Sequence, residues 1–180
     1  MDRAYEQVAS HYGFSCKDCI SNCCAQRFHH HTLTEYYGLL DAIKKEDPAL
    51  REKILSRANA VLDSYHKDSD TGTTSNLMCP ANFDGLCSLY ESRPMICRLH
   101  GMPYVFRRPD GMLIEGGGCS RFQSQMKGLD VRIDRTPHYR ALAELEKELR
   151  ASLGIEDRYK KTTSEMLVDM VNQLEIGNKS

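Results

Sequence analysis

The sequence has almost no net charge: 24 basic residues stand against 25 acidic ones, leaving −1. Without a bias of either sign, nothing indicates nucleic acid or an anionic membrane surface as a partner. Nowhere do eighteen apolar residues follow one another, which excludes an ordinary membrane-crossing helix. The opening Met1-Asp2-Arg3-Ala4-Tyr5-Glu6-Gln7 lacks the apolar run of a secretory signal, so the chain reads as soluble and cytoplasmic. The common catalytic signatures are missing too. There is no GxSxG elbow, no Walker loop, no HExxH pair and no glycine-rich βαβ fingerprint for a nucleoside cofactor. No substrate class is identified, and whether the chain is an enzyme stays open.

What is there suffices for one core. A chain of 180 residues, 41% hydrophobic and of one compositional character, is expected to form a single domain over 1–180. Thr32 and Glu35 make a capping box ahead of Tyr36, Tyr37, Leu39, Leu40 and Ile43, predicting a helix from Leu33 to Lys45. Asp47-Pro48 reads as cap and first turn of a second helix, with Ile54, Ala58, Val61 and Tyr65 on one face, ending before Asp70. Residues 70–76 read as a polar loop. From Leu77 to Cys119 there is too much Gly, Pro and Cys for a long helix. Within that stretch Arg108-Pro109-Asp110-Gly111 separates two short apolar segments and favours a β-hairpin.

Two C-terminal helices are expected within 136–177. Thr136-Pro137 opens the first, with Leu142, Leu145, Leu149 and Leu153 on one stripe and Gly154 as its stop. Thr162 and Glu165 cap the second, whose apolar face is Met166, Leu167, Met170, Val171 and Leu174, with Gly177 after it. The expected fold class is mainly α: a small helical domain around an irregular, cysteine-rich metal core, with a short β-hairpin.

The strongest signal is the set of eight cysteines. Disulfides do not persist in a reducing compartment, so clustered cysteines there argue for metal or redox chemistry. Cys16 and Cys19 form a CxxC pair, followed after three residues by Cys23-Cys24. A CxxC turn can direct two thiolates at one centre, and soft sulfur suits zinc, Cu(I) or an iron-sulfur unit. Cys79, Cys87, Cys97 and Cys119 follow singly, each among turn residues. Adjacent residues of extended chain point to opposite sides, so Cys23 and Cys24 are not expected to bind one mononuclear ion together. Eight thiols fill two four-cysteine sites, or one four-thiolate cluster with four thiols left over, and spacing does not choose between them.

Taken together, Cys16-x2-Cys19-x3-Cys23-Cys24, Cys79-Pro80, the run Gly85 to Arg98 containing Cys87, Tyr90, Arg93-Pro94 and Cys97, and finally Cys119 resemble bacterial cysteine-cluster proteins. These are the CxxCxxCC or YkgJ type, described as zinc- or iron-chelating. The resemblance spans Ser15 to about Phe122, and this chain has three rather than two residues between Cys19 and the vicinal pair. It implies a metal-dependent cysteine centre, an iron-sulfur cluster (4Fe-4S) or zinc, with a redox or structural role. A similar cysteine pattern occurs in flagellin lysine N-methylases, which implies an iron-sulfur-dependent enzyme as an alternative; a zinc-stabilised adaptor, presenting the Met166 and Met170 face to an unidentified protein, is another.

Residues beside the cysteines are candidates for tuning the centre. Arg93 and Arg98 bracket Cys97 and can balance thiolate charge, unless they form ordinary ion pairs. Gly116-Gly117-Gly118 before Cys119 would let backbone approach a cluster, or is a plain turn. Tyr90 covers the site or fills core. His29-His30-His31 read as solvated residues before a helix, with His100 the better candidate for a mixed Cys/His site.

Overall fold

The computed structural model describes residues 1–16, 19, 22–72, 75–126 and 128–177, with backbone alone for 172–177. In chain order the elements are α1 (Asp2–His11), β1 (His29–His30), α2 (Leu33–Lys45), α3 (Pro48–Thr71), β2 (Asn82–Phe83), β3 (Leu86–Cys87), α4 (Met95–Leu99), β4 (Pro103–Arg107), β5 (Leu113–Gly117), α5 (Ser120–Gln125), β6 (Ile133–Asp134), α6 (Thr136–Leu153), β7 (Lys161–Thr162) and α7 (Thr163–Gly177). Single 3-10 turns lie at Cys23–Ala25 and Tyr90–Ser92. The protein is mainly helical with small sheets. Among the described residues no helix is long and apolar enough to cross a membrane.

The chain divides into two compact units: Met1–Cys23 with Met95–Ile155, and Cys24–Pro94 with Glu156–Ser180.

In the first unit, α1 packs on α4 and β6, and β4 is the centre of a three-stranded sheet in the order β5-β4-β6. The β4–β5 hairpin pairs Phe106 with Ile114 across the expected turn, while β6 joins β4 in parallel through Tyr104 and Ile133. Its core is Val8, Ala9, Phe14, Met95, Leu99, Met102, Phe122 and Ile133. Each fully buried large side chain here stabilises by about 1.5–3 kcal/mol. Helix α1 was not foreseen, although Tyr5, Val8, Ala9 and Tyr12 recur at helical spacing. An ion pair of 2.5 Å between Asp2 and Arg98 ties it to α4.

In α6 only part of the leucine stripe turns inward. Leu145 is 54% and Leu153 43% exposed, whereas Glu146, paired with Arg150 at 2.6 Å, is buried. Leu142 of that stripe is half-buried against the core beside Tyr139, and these two set the packing side of α6. Gly154 ends the helix in the left-handed region, as its position predicts.

In the second unit, α7 packs on α3 and α2. Tyr36, Leu39, Leu40 and Ile43 of α2 and Ile54 and Ala58 of α3 meet Met166, Leu167 and Met170 of α7, with Ala81 and Leu89 closing the cluster. Met166 and Met170 are fully buried, so this face is core rather than a docking stripe. The side chain of Leu174 lies outside the described residues.

Both threonine caps form, and that of Thr162 with Glu165 is a complete capping box. The Glu35 N–H donates to the Thr32 hydroxyl at 3.3 Å, and that hydroxyl donates to the Glu35 carboxylate at 2.7 Å. The Thr162 N–H donates to the Glu165 carboxylate at 2.6 Å, and the Glu165 N–H to the Thr162 hydroxyl at 3.3 Å. Helix α3 runs past the expected stop to Thr71, closing on Gly72 in the left-handed region. Asp68 accepts from the Ser75 N–H and hydroxyl at 2.7 and 2.8 Å. Residues 73 and 74 of the expected 70–76 loop lie outside the described residues.

Candidate metal centre

All eight cysteines are thiols; Cys16 is exposed and the other seven half-buried. The boundary between the units falls between Cys23 and Cys24. The vicinal pair opens a 3-10 turn rather than an extended segment. With about three residues per turn, successive side chains diverge in such a turn. Cys16, Cys19, Cys23, Cys97 and Cys119 belong to the first unit, and Cys24, Cys79 and Cys87 to the second.

In the first unit, Tyr5 of α1 and Cys16 are hydrogen-bonded at 3.1 Å between hydroxyl and sulfur. Burial first, then that bond and the charges of Cys16, Cys23 and Cys119, push the Tyr5 phenol above its ordinary range. Arg121 of α5 hydrogen-bonds the Cys19 sulfur, which holds its guanidinium protonated more firmly, with the charges of Cys16 and Cys119 adding to the effect. Tyr5 and Arg121 thus both answer to Cys16 and Cys119, one adding Cys23 and the other Cys19.

Backbone brings Cys119 to the same place. Its N–H donates to the Gly101 carbonyl at 3.0 Å, and its sulfur caps α5 by accepting the Phe122 N–H at 3.4 Å. A methyl on Gly101 would sit 3.6 Å from the Tyr5 hydroxyl and 4.0 Å from the Cys16 sulfur. Gly101 therefore joins Cys119 through its carbonyl to Cys16 through its open face. Cys97 lies in α4, within the same unit.

The glycine run before Cys119 serves close packing. A Cβ at Gly116 would lie 2.3 Å from the Tyr104 ring, and one at Gly118, whose φ is 86°, would lie 2.5 Å from the Gly101 carbonyl oxygen. Only glycine lets Cys119 reach Gly101 in this way.

In the second unit, Cys79 and Cys87 bracket the β2–β3 hairpin, in which Asn82 pairs with Cys87. The Cys79 N–H donates to the Cys24 carbonyl at 2.8 Å. Burial pushes the Cys79 thiol up to about 12, and the charges of Cys24 and Cys87 act in the same direction, against an N–H donated to its sulfur by Ala81 and the charge of Arg57. Burial also raises the Cys87 thiol; an N–H from Leu89 and the charge of Arg93 oppose it, and the charge of Cys24 adds to it.

Of the two arginines singled out by sequence, Arg93 stands beside Cys87, stacked 3.4 Å over the Tyr90 ring, while Arg98 forms the ion pair with Asp2. Tyr90 is 56% exposed and fills no core. Tyr5, Arg57 and Arg121 were not anticipated: they are remote in sequence from the cysteines they face, or carry no motif. His30 is 2% exposed rather than solvated, because β1 pairs with β7 and sets its Nε2 3.0 Å from the Thr163 hydroxyl; His29 and His31 are exposed. His100 is half-buried, and burial, then the Arg135 charge, lowers its pKa.

The donor set is soft sulfur throughout, which fits zinc, Cu(I) or an iron-sulfur unit. Among the described residues, no group of three or more His, Cys, Asp or Glu side chains already stands in an arrangement that holds a metal ion. The sulfurs would have to close around the ion, as where metal and fold are coupled. Compared with known proteins, the chain matches no family model, no curated protein and no solved structure.

Proposed function

We propose that the protein is a metal-thiolate protein of the reducing cytoplasm, in which Cys16, Cys19, Cys23 and Cys119 hold an iron-sulfur cluster or zinc in the first unit. The observation that carries this is the contact of Tyr5 and Gly101 with Cys16 and of Gly101 with Cys119, beside which the charges of Cys19 and Cys23 act on Arg121 and Tyr5. The resemblance of the cysteine spacing to the CxxCxxCC type supports the same assignment. When bound, such a centre supplies either electron transfer, as a cluster, or cross-linking of the fold, as zinc.

Tyr5 and Arg121 suit that role. The Tyr5 hydroxyl can donate to the Cys16 sulfur, and the Arg121 guanidinium places a positive charge against thiolates. The Phe122 N–H gives the Cys119 sulfur a further donor.

The test is metal and labile-sulfide analysis, with an absorption spectrum, on protein purified without oxygen and without a metal-affinity tag. Broad absorption at roughly 400 nm with iron and sulfide selects the cluster. A colourless protein with bound zinc selects the structural role. Protein devoid of metal, and unable to take it up anaerobically, overturns the proposal.

A further inference from the structure

Granting the metal-thiolate reading above, we propose that the second unit holds a separate ion of its own on Cys24, Cys79 and Cys87, and that the fourth position of this site opens to a cleft where a small anion binds.

Local backbone ties the chain segments that carry three cysteines to one another here. The Asn82 N–H donates to the Cys79 carbonyl at 2.9 Å and the Ser88 N–H to the Ala81 carbonyl at 2.8 Å, so the hairpin brings the stems of Cys79 and Cys87 side by side. Asp84 and Gly85, at φ 51° and 84°, make the turn between them. The bond from the Cys79 N–H to the Cys24 carbonyl then fixes the third cysteine against this pair.

The two hairpin sulfurs are prepared in the same way. Each accepts the N–H of the residue two positions later, Ala81 for Cys79 and Leu89 for Cys87. Backbone donors of this kind are what a metal-bound thiolate uses to spread its charge. Arg57 is anchored by donating to the Asn82 carbonyl at 2.6 Å and stacking 4.5 Å over Phe83, and Arg93 by its stack on Tyr90. Three thiolates on a divalent ion carry one net negative charge, which these two guanidiniums offset.

The second unit contains three of the eight cysteines. A tetrahedral ion bound by them lacks one sulfur, and three protein ligands with a free fourth position is the arrangement that admits outside ligands, whereas structural zinc sites are closed by four. Cys24 and Cys79 line a shallow, open cleft with Arg27, Tyr65, Thr163 and Ser164, whose cavity volume of about 20 Å³ admits one small group. Arg27 is stacked 3.9 Å over the Tyr65 ring. A ligand entering the cleft thus meets a fixed positive charge and two hydroxyl-bearing residues beside the sulfurs, which selects a small anion.

The experiment is anaerobic titration of the full apo chain with Co(II), followed through the thiolate charge-transfer and ligand-field bands, with azide as the probe anion. Two equivalents should bind. Cys79→Ser and Cys87→Ser should each lose one equivalent and keep the other, while Cys16→Ser and Cys119→Ser lose the opposite one. Azide should shift the ligand-field bands of the wild type and of Cys16→Ser, and leave those of Cys79→Ser unmoved. Cys24→Ala, which leaves the hairpin intact, should lose the same equivalent as Cys79→Ser, with circular dichroism confirming that the helices are kept. A single equivalent lost by both groups of variants overturns the separate site. Two equivalents with bands insensitive to azide overturn the open position. Absence of any binding overturns the underlying metal-thiolate reading instead.

Discussion

The hydroxyl of Tyr5, on the N-terminal helix, lies 3.1 Å from the sulfur of Cys16, and both face Gly101. In the metal-bound form proposed above, this hydroxyl would donate to the sulfur and share its charge. Removing it in Tyr5→Phe keeps the ring and its packing. We expect metal to leave the first unit about tenfold faster, in line with the loss of one hydrogen bond to a charged group. Chelator competition measures the rate; an unchanged rate would show that the phenol only packs.

Gly118→Ala tests the close approach that carries Cys119. Both the positive φ and the 2.5 Å distance to the Gly101 carbonyl oppose a side chain there. Destabilisation of about 2 kcal/mol or more is expected in urea unfolding. Alanine at Gly38, whose Cβ would meet nothing within 4 Å, is the matched control and should be stabilising or neutral.

Met166→Ala should cost about 2–5 kcal/mol, because the side chain is fully enclosed by α2 and α3 and leaves a cavity. Leu145→Gln and Leu153→Gln, on the exposed side of α6, should stay within about 0.5 kcal/mol of the wild type. Thermal unfolding of the three variants separates true core from apparent stripe.

The Glu165 carboxylate gives a pH signature. Burial acts to raise it, but the N–H and hydroxyl of Thr162, with the charges of His29 and Arg27, outweigh burial and hold it below the ordinary glutamate value. The folded-state pKa is therefore the lower one. Its stabilising contribution is complete above the unfolded-state value, roughly 4.3, and is lost as pH falls through the lower folded-state value. Glu165→Gln should be less stable at neutral pH and lose less than the wild type between neutrality and about pH 3. Parallel stability profiles for the two proteins would contradict the assignment.

What the sequence revealed was local. Thr32 with Glu35, Thr162 with Glu165, Asp47-Pro48 and Gly154 placed helix ends to within a residue or two, because caps and stops are written in adjacent positions. Leu145 and Leu153 of α6 misled because helical spacing fixes a shared face but not how much of it is buried; Leu142 packs inward, while Glu146, with its partner Arg150, took an inner place that spacing did not foretell. His30 was misjudged for a related reason: its strand partner, Lys161, lies far along the chain. The cysteines stood out by spacing. Their separation into five and three, the role of Gly101 and the arrival of Tyr5 and Arg121 depend on tertiary contact that no window of sequence contains.

The way the two units interleave along the chain has a bearing on synthesis. The first unit begins with Met1–Cys23 and resumes only at Met95, and the second resumes at Glu156. At about 5–20 residues per second, translating the stretch from Cys24 to Pro94 takes on the order of 4–15 s. Throughout that interval Cys16 and Cys19 emerge from the ribosome without Gly101, Cys119 or Arg121 to receive them. The nascent chain thus passes through a period in which Cys16 and Cys19 depend on the surrounding redox buffer rather than on their own fold, and the first unit cannot close before Cys119 and Arg121 have been made.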